Sequence, residues 1–208
     1  MLVDGVVVTN PNSQVRRDAS VVVKKPKVPK GIGKLGFALD TLGVTVAGTT
    51  ALDLGACTGG STSALLDRGA RHVHAVDVGF GQLLGRLQQD ERVTNLERTN
   101  VAEVTPALLG GHPDLIVVDV TKLTLRDVGA QVVANDVPHP GTELVGLIKP
   151  MFELGWGELP TTVADLHTAT AMAAEGLAAV GWAELGLIES AVRGSHGAIE
   201  YFIWARLG

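Results

Sequence analysis

Residues 49–78 read TTALDLGACTGGSTSALLDRGARHVHAVDV, and that stretch decides the fold class. It opens with a short apolar run ending in an acid, Ala51-Leu52-Asp53. A turn of small residues follows, Gly55-Ala56-Cys57-Thr58-Gly59-Gly60, and then a helical pattern with apolar Ala64, Leu65 and Leu66. A second apolar run, Val73 to Val76, ends in Asp77. Strand, glycine turn, helix, strand and acid make one nucleotide-binding βαβ unit.

The turn discriminates among ligands. A dinucleotide site needs G-x-G-x-x-G so that the backbone closes on a pyrophosphate. Here Gly55 and Gly59 stand four apart, and Asp53 sits inside the end of the first strand. A buried carboxylate beside the turn repels a pyrophosphate but suits a ligand with an amino group and a sulfonium cation. S-adenosylmethionine is such a ligand, with Asp77 placed to accept hydrogen bonds from its ribose hydroxyls. A Rossmann-like turn for some other nucleotide is the plainer alternative, because a lone glycine motif is weak.

Composition sets the frame. The 208 residues allow one substantial domain and a small appendage. An apolar content of 46% argues for a filled core, while aromatics at 4% leave few rings for base stacking. No apolar run approaches the ~18 residues of a membrane span. The start, MLVDGVVVTN, lacks the pattern of a signal peptide. Cys57 is the only cysteine, compatible with the reducing cytoplasm expected for this chain. Residues 1–34 carry seven basic side chains against two aspartates, a balance of +5, whereas the remainder carries ten basic and twenty acidic, a balance of −10. Any polyanion is therefore expected to meet the basic arm rather than the acidic body.

Along the chain, residues 1–23 read as a small β piece with a hairpin turn at Asp4-Gly5 and a loop at Asn10-Pro11-Asn12. Residues 24–33, rich in Lys, Pro and Gly, read as a linker. A helix is expected from Lys34, with Leu35, Ala38, Leu39 and Leu42 on one face and Gly43 as its stop. Beyond the βαβ unit come a short helix over 82–87, strands over 93–96, 114–120 and 142–148, and an alanine-rich helix over 163–180. A closing antiparallel pair is expected over 184–190 and 198–204, joined by Arg193-Gly194-Ser195-His196-Gly197. Strands alternating with helices mean a doubly wound α/β sheet.

Ligands of such sheets bind beyond the carboxyl ends of the strands. Asp53, Asp77, Asp119 and Lys149 stand at such ends and are expected to line one crevice. A structural ion pair between Asp119 and Lys149 is the bland alternative.

These stretches also carry a resemblance. LDLGACTGGST, AVDVGFGQL, LERTN, LIVVDV, LIKPMFE and HGAIEYFIW, in that order, resemble the TlyA (hemolysin A-type) family of ribosomal RNA 2′-O-methyltransferases, itself similar to the FtsJ-like RNA methyltransferases. The resemblance covers most of the chain, and LERTN is its most specific stretch. It implies a seven-stranded, Rossmann-like class I methyltransferase over residues 34–208, after a partial S4-like β segment over 1–23. It also implies a Lys-Asp-Lys-Glu tetrad, which falls on Lys34, Asp119, Lys149 and Glu200. Asp53, Gly55, Ala56, Thr58, Gly59, Gly60, Asp77, Val78 and Asn100 would hold the cofactor, with Asn100 near the adenine.

The residue types suit the chemistry. Methyl transfer is an in-line displacement at a carbon activated by a sulfonium, so the protein must align a hydroxyl and remove its proton. A lysine flanked by another cation is a suitable base. Lys149 is expected in that role, with Lys34 beside it and Asp119 and Glu200 positioning the ammonium groups; the sequence does not rank the two lysines.

The departures lie on the substrate side. Residues 1–23 resemble only the closing β segment of an S4 domain, unless the true start lies upstream, and Lys25-Pro26-Lys27-Val28 lacks the family's linker tryptophan. Thr121-Lys122-Leu123-Thr124-Leu125 replaces Ser-Phe-Ile-Ser-Leu, and the loop after Glu153 is short. The expected acceptor is thus RNA or a ribosomal subunit, with a methyltransferase for a small metabolite on the same scaffold, or a non-catalytic binding relative, as alternatives. No metal is expected: His72 and His74 share a strand face, but no third ligand is near. Trp156 is read as a stacking ring or a loop anchor, and Cys57 as packing within the turn.

Overall fold

The computed structural model describes residues 2–4, 6–7, 14–16, 18–22 and 30–208. Three two-residue strands, β1 (Leu2–Val3), β2 (Val6–Val7) and β3 (Val21–Val22), form a small antiparallel sheet in the order β2-β1-β3. Val3 pairs with Val6, in keeping with the expected hairpin; Gly5 of its turn lies outside the described residues. The loop at residues 10–12 and most of the lysine-rich stretch lie outside the described residues.

The body is one mixed sheet. After helix α1 (Lys30–Leu42) come β4 (Thr50–Leu54), α2 (Gly60–Asp67), β5 (His72–Asp77), α3 (Gly85–Gln88) and β6 (Val93–Glu97). A 3-10 turn at Val101–Glu103 and α4 (Pro106–Leu109) lead to β7 (Leu115–Val118), α5 (Leu125–Ala134) and β8 (Glu143–Ile148). The chain closes with α6 (Pro150–Glu153), α7 (Val163–Ala178), β9 (Trp182–Glu189) and β10 (Tyr201–Leu207). The order is β6-β5-β4-β7-β8-β10-β9, parallel except for β10, which runs antiparallel to both neighbours.

Both faces of the central strands are apolar, so helices must cover both. Ala51, Val73, Ala75, Leu115, Val117 and Val145 point to one core with Leu35, Leu39 and Leu65 of α1 and α2. Their neighbours Leu52, Leu54, Val76, Ile116, Val118 and Leu144 point to the other, with Val128 and Val132 of α5 and Leu177 of α7. The period-two alternation sorts each strand between the two cores.

The chain lays down β4, β5 and β6 outward, then returns to place β7 on the other side of β4. That return makes the switch point between β4 and β7, where doubly wound sheets open a crevice. Because β10 is antiparallel, its first residues join the carboxyl ends of the parallel strands: Tyr201 pairs with Ile148.

Two expectations are corrected. Helix α1 begins at Lys30, so the end of the stretch read as linker is helical. Its glycines look like linker residues, but a Cβ on Gly31 would sit 3.1 Å from Gly60 Cα, so the bare backbone lets α1 close on α2. Helix α5 was not expected at all. Thr124 Oγ1 accepts from Asp127 N–H while Asp127 accepts from Thr124 N–H, a capping box that starts the helix.

Candidate active site

The first half of the site is the glycine turn after β4. Gly55 has φ +92°, and a Cβ there would lie 2.4 Å from the Asp119 carbonyl oxygen. Only glycine lets the turn after β4 touch the end of β7. Gly59 (φ +87°) precedes α2, where a Cβ would collide with Leu87 at 2.1 Å.

Asp53 is fully buried in β4. Its Oδ2 accepts a 2.6 Å hydrogen bond from Thr62 Oγ1, while Oδ1 is buried without a partner. Burial pushes its pKa up to about 7 against the pull of the Thr62 hydroxyl, and the Asp119 and Asp77 carboxylates add to the rise. Asp77, at the end of β5, accepts from Cys57 N–H at 2.9 Å and Gly79 N–H at 2.7 Å, which ties the two turns together. Val78 is 69% exposed at the rim.

Asn100 stands next to the Asp77 strand end, since Thr99 N–H donates to the Asp77 carbonyl at 3.0 Å. Its side-chain oxygen caps Ala102 N–H, and Glu103 accepts from the Asn100 N–H in return. Glu97 shapes the same rim by accepting from the Gln82 and Leu83 amides at 2.7 and 3.1 Å. Those bonds, the Leu83 amide foremost, hold its carboxyl down to about 2. Glu97 and Thr62 are contributors that sequence reasoning passed over; both lie inside motifs already quoted, LERTN and GGST.

The second half is a cavity of about 330 Å³ at the same edge of the sheet. It brings together Lys34 of α1, Asp119 after β7, Lys149 after β8 and Glu200 before β10. They form two ion pairs. Lys34 Nζ meets Glu200 Oε2 at 2.5 Å, both side chains mostly buried. Lys149 Nζ meets Asp119 Oδ1 at 2.7 Å and the Val120 carbonyl at 2.8 Å. Met151, Phe152, Leu159 and Pro160 add an apolar lining, and Ser195 and His196 reach it from the loop before β10. Gly194 gives Glu200 its room, since a Cβ there would stand 2.4 Å from Oε1.

The crevice is thus divided. The tetrad lines the cavity, whereas Asp53, Asp77 and Asn100 lie around the adjoining turns and do not. Cys57 is exposed rather than packed: its left-handed backbone (φ 47°) turns the thiol outward onto Gln82 Oε1 at 3.2 Å. Trp156 is 41% exposed and does not line the cavity. The His72 and His74 rings share a face at 4.7 Å, and burial depresses His74 to about 4. No metal-binding cluster of three occurs among the described residues.

A protein-family model described as FtsJ-like methyltransferase matches residues 28–207. The chain is 38% identical to the 16S/23S rRNA (cytidine-2′-O)-methyltransferase TlyA of Mycobacterium tuberculosis, over 98% of this chain and 79% of that one. The chain belongs to the TlyA-type, FtsJ-like methyltransferases. Among solved structures, this TlyA-type chain resembles a candidate hemolysin from Lactococcus lactis with a TM-score of 0.80 at 28% identity, covering 86% of this chain and 88% of that one. The N-methyltransferase NodS of Bradyrhizobium japonicum, solved with S-adenosyl-L-homocysteine, shares the fold at TM-score 0.58 and 17% identity, covering 83% and 85% of the two chains. The TlyA-type chain is accordingly an S-adenosylmethionine-dependent methyltransferase. The turn fits that cofactor: an orphaned buried carboxylate oxygen suits an ammonium, and the glycines leave backbone open for close approach. No helix among the described residues is long and apolar enough to cross a membrane.

Proposed function

We propose that this chain transfers a methyl group to the 2′-hydroxyl of a ribose in ribosomal RNA. The observation that carries the reading is the pair of lysine–carboxylate contacts on one cavity beside the glycine turn. The name of the M. tuberculosis relative supplies the acceptor, and a ribosomal subunit is the matching partner. In this reading Asp53 takes the cofactor's ammonium, Asp77 its ribose and Asn100 the adenine side, with Gly55, Ala56, Thr58, Gly59, Gly60 and Val78 framing them. S-adenosylmethionine supplies an electrophilic methyl on a sulfonium, which leaves as a neutral thioether.

The chain's own residues then align and deprotonate the acceptor. Entering the step as a neutral amine, Lys149 Nζ takes the 2′-hydroxyl proton as the oxygen forms its bond to the methyl carbon, and the resulting ammonium is the form paired with Asp119. Asp119 and the Val120 carbonyl fix that nitrogen. Lys34, held by Glu200, donates to the same hydroxyl oxygen and sets its direction.

A second reading, a small metabolite as acceptor, is favoured by the apolar lining and modest size of the cavity. Labelled cofactor offered to total cellular RNA and, separately, to a small-molecule extract distinguishes the two. Label in RNA, with binding that weakens steeply as salt rises, is the expected result. No RNA binding at low salt, together with label in the extract, overturns it.

Asp53 makes the cofactor half testable by pH. Its carboxyl is raised to about 7 in the folded chain, above its unfolded value, so folding without cofactor takes up a proton. Apo stability should therefore fall as pH rises from about 4 to about 7. A bound ammonium favours the carboxylate, so binding should release about one proton near pH 6 and almost none at pH 8. Calorimetry in buffers of different ionisation heat measures this. Release should vanish in Asp53→Asn, and a wild-type affinity that is flat from pH 5.5 to 8 would exclude the assignment.

A further inference from the structure

Helix α6 fastens the acceptor side of the site at two points. Glu153, its last residue, is 6% exposed and accepts a 2.9 Å hydrogen bond from the Leu125 N–H. Leu125 opens α5, and its amide is one of the helix-start donors that have no partner within the helix. One turn earlier, Lys149 holds Asp119 and the Val120 carbonyl. The two holds are coupled, because the Phe152 and Glu153 amides both donate to the Lys149 carbonyl, at 2.8 and 3.3 Å. Residues 121–124 are therefore fixed at both ends by a single helical turn. Within that segment Thr121 lines the cavity, and Lys122 sits in the left-handed region (φ 66°), a conformation long side chains keep only where their surroundings impose it.

We propose that Glu153 is a positioning residue for methyl transfer: through Leu125 it fixes the 121–124 loop against the turn that carries Lys149. The inference rests on the role given to Lys149 above. Burial raises the Glu153 carboxyl to about 7, Leu125 N–H pulling it down and Asp127 pushing it further up. Arg126, Asp127 and Glu175 are the charged groups sharing its pocket. A carboxylate and a carboxylic acid each offer an oxygen to the Leu125 amide, so reach matters here and charge does not.

Two variants separate those properties. Glu153→Gln keeps the reach and loses the charge; Glu153→Asp keeps the charge and draws the acceptor back by one methylene. Full chains are compared by hydrogen exchange, by the Kd of S-adenosyl-L-homocysteine, and by kcat and KM on transcribed 16S and 23S rRNA. E153D is expected to speed exchange across 119–125 and 149–154 and lower kcat on the order of 10–100-fold, with the Kd unchanged. E153Q should match the wild type in all of them. Wild-type exchange in E153D, or E153Q impaired as much as E153D, overturns the proposal. If wild-type protein labels no rRNA, the acceptor reading fails by itself, and the exchange comparison still decides the role of Glu153.

Discussion

Lys149→Ala should lower methyl transfer by about 10²–10⁴ in kcat, the usual contribution of a positioned base, while leaving cofactor affinity near wild type. The separation follows from where the side chain lies. Lys149 lines the acceptor cavity and contacts Asp119 and Val120, not the residues of the glycine turn. Lys149→Arg should not restore the rate, because a guanidinium does not give up its proton in proteins and its planar fork does not fit a single point of transfer. Single-turnover transfer with bound labelled cofactor, beside a calorimetric Kd, reads both quantities. Transfer within a few-fold of wild type in Lys149→Ala would remove it from the proton step and shift the role to Lys34. A drop in both rate and cofactor affinity would show instead that the change had disturbed the turn through the Asp119–Gly55 contact.

The glycine turn proposed to hold the cofactor was legible as a turn because its signal is local. Apolar runs ending at Asp53 and Asp77 enclose a glycine turn within 30 residues, and each strand end is set by its own pattern. The acceptor half is assembled from four distant segments, with Lys34 and Glu200 separated by 166 positions. The strand-end rule joins Asp119 and Lys149, but no spacing rule reaches Lys34 and Glu200, which the resemblance alone adds. Helix α5 was missed for a different reason. TKLTL stands out first as a departure from a family pattern, which masks Thr124-x-x-Asp127 before Val128 and Val132 as a capping box ahead of a helical stripe. The early start of α1 could not be read locally, because its glycines answer to Gly60, a tertiary neighbour. Thr62 as the partner of Asp53 likewise depends on α2 folding back over β4.

The Lys34–Glu200 pair should show opposite behaviour in stability and in activity. Both side chains are nearly enclosed, at 11% and 7% exposure, so neither charge is solvated enough to stand alone. Lys34→Met leaves the Glu200 carboxylate against Gly194 with no cation, and the loss should be about 3–5 kcal/mol. At about 2–4 °C per kcal/mol for a domain of this size, the midpoint should fall by roughly 6–20 °C. The double variant Lys34→Met/Glu200→Leu removes the uncompensated charge as well as the pair, and apolar replacements of similar volume recover most of that loss. Its melting point should return close to wild type. Methyl transfer should not return, because the proposed mechanism needs a donor aimed at the hydroxyl and a methyl-terminated side chain offers none. Thermal melts with single-turnover rates on the four corners of the cycle decide the matter. A double variant as unstable as the two singles added together would mean that the pair is not coupled in the fold. One that regains both stability and transfer would reduce Lys34 and Glu200 to scaffolding, leaving Lys149 and Asp119 to act alone.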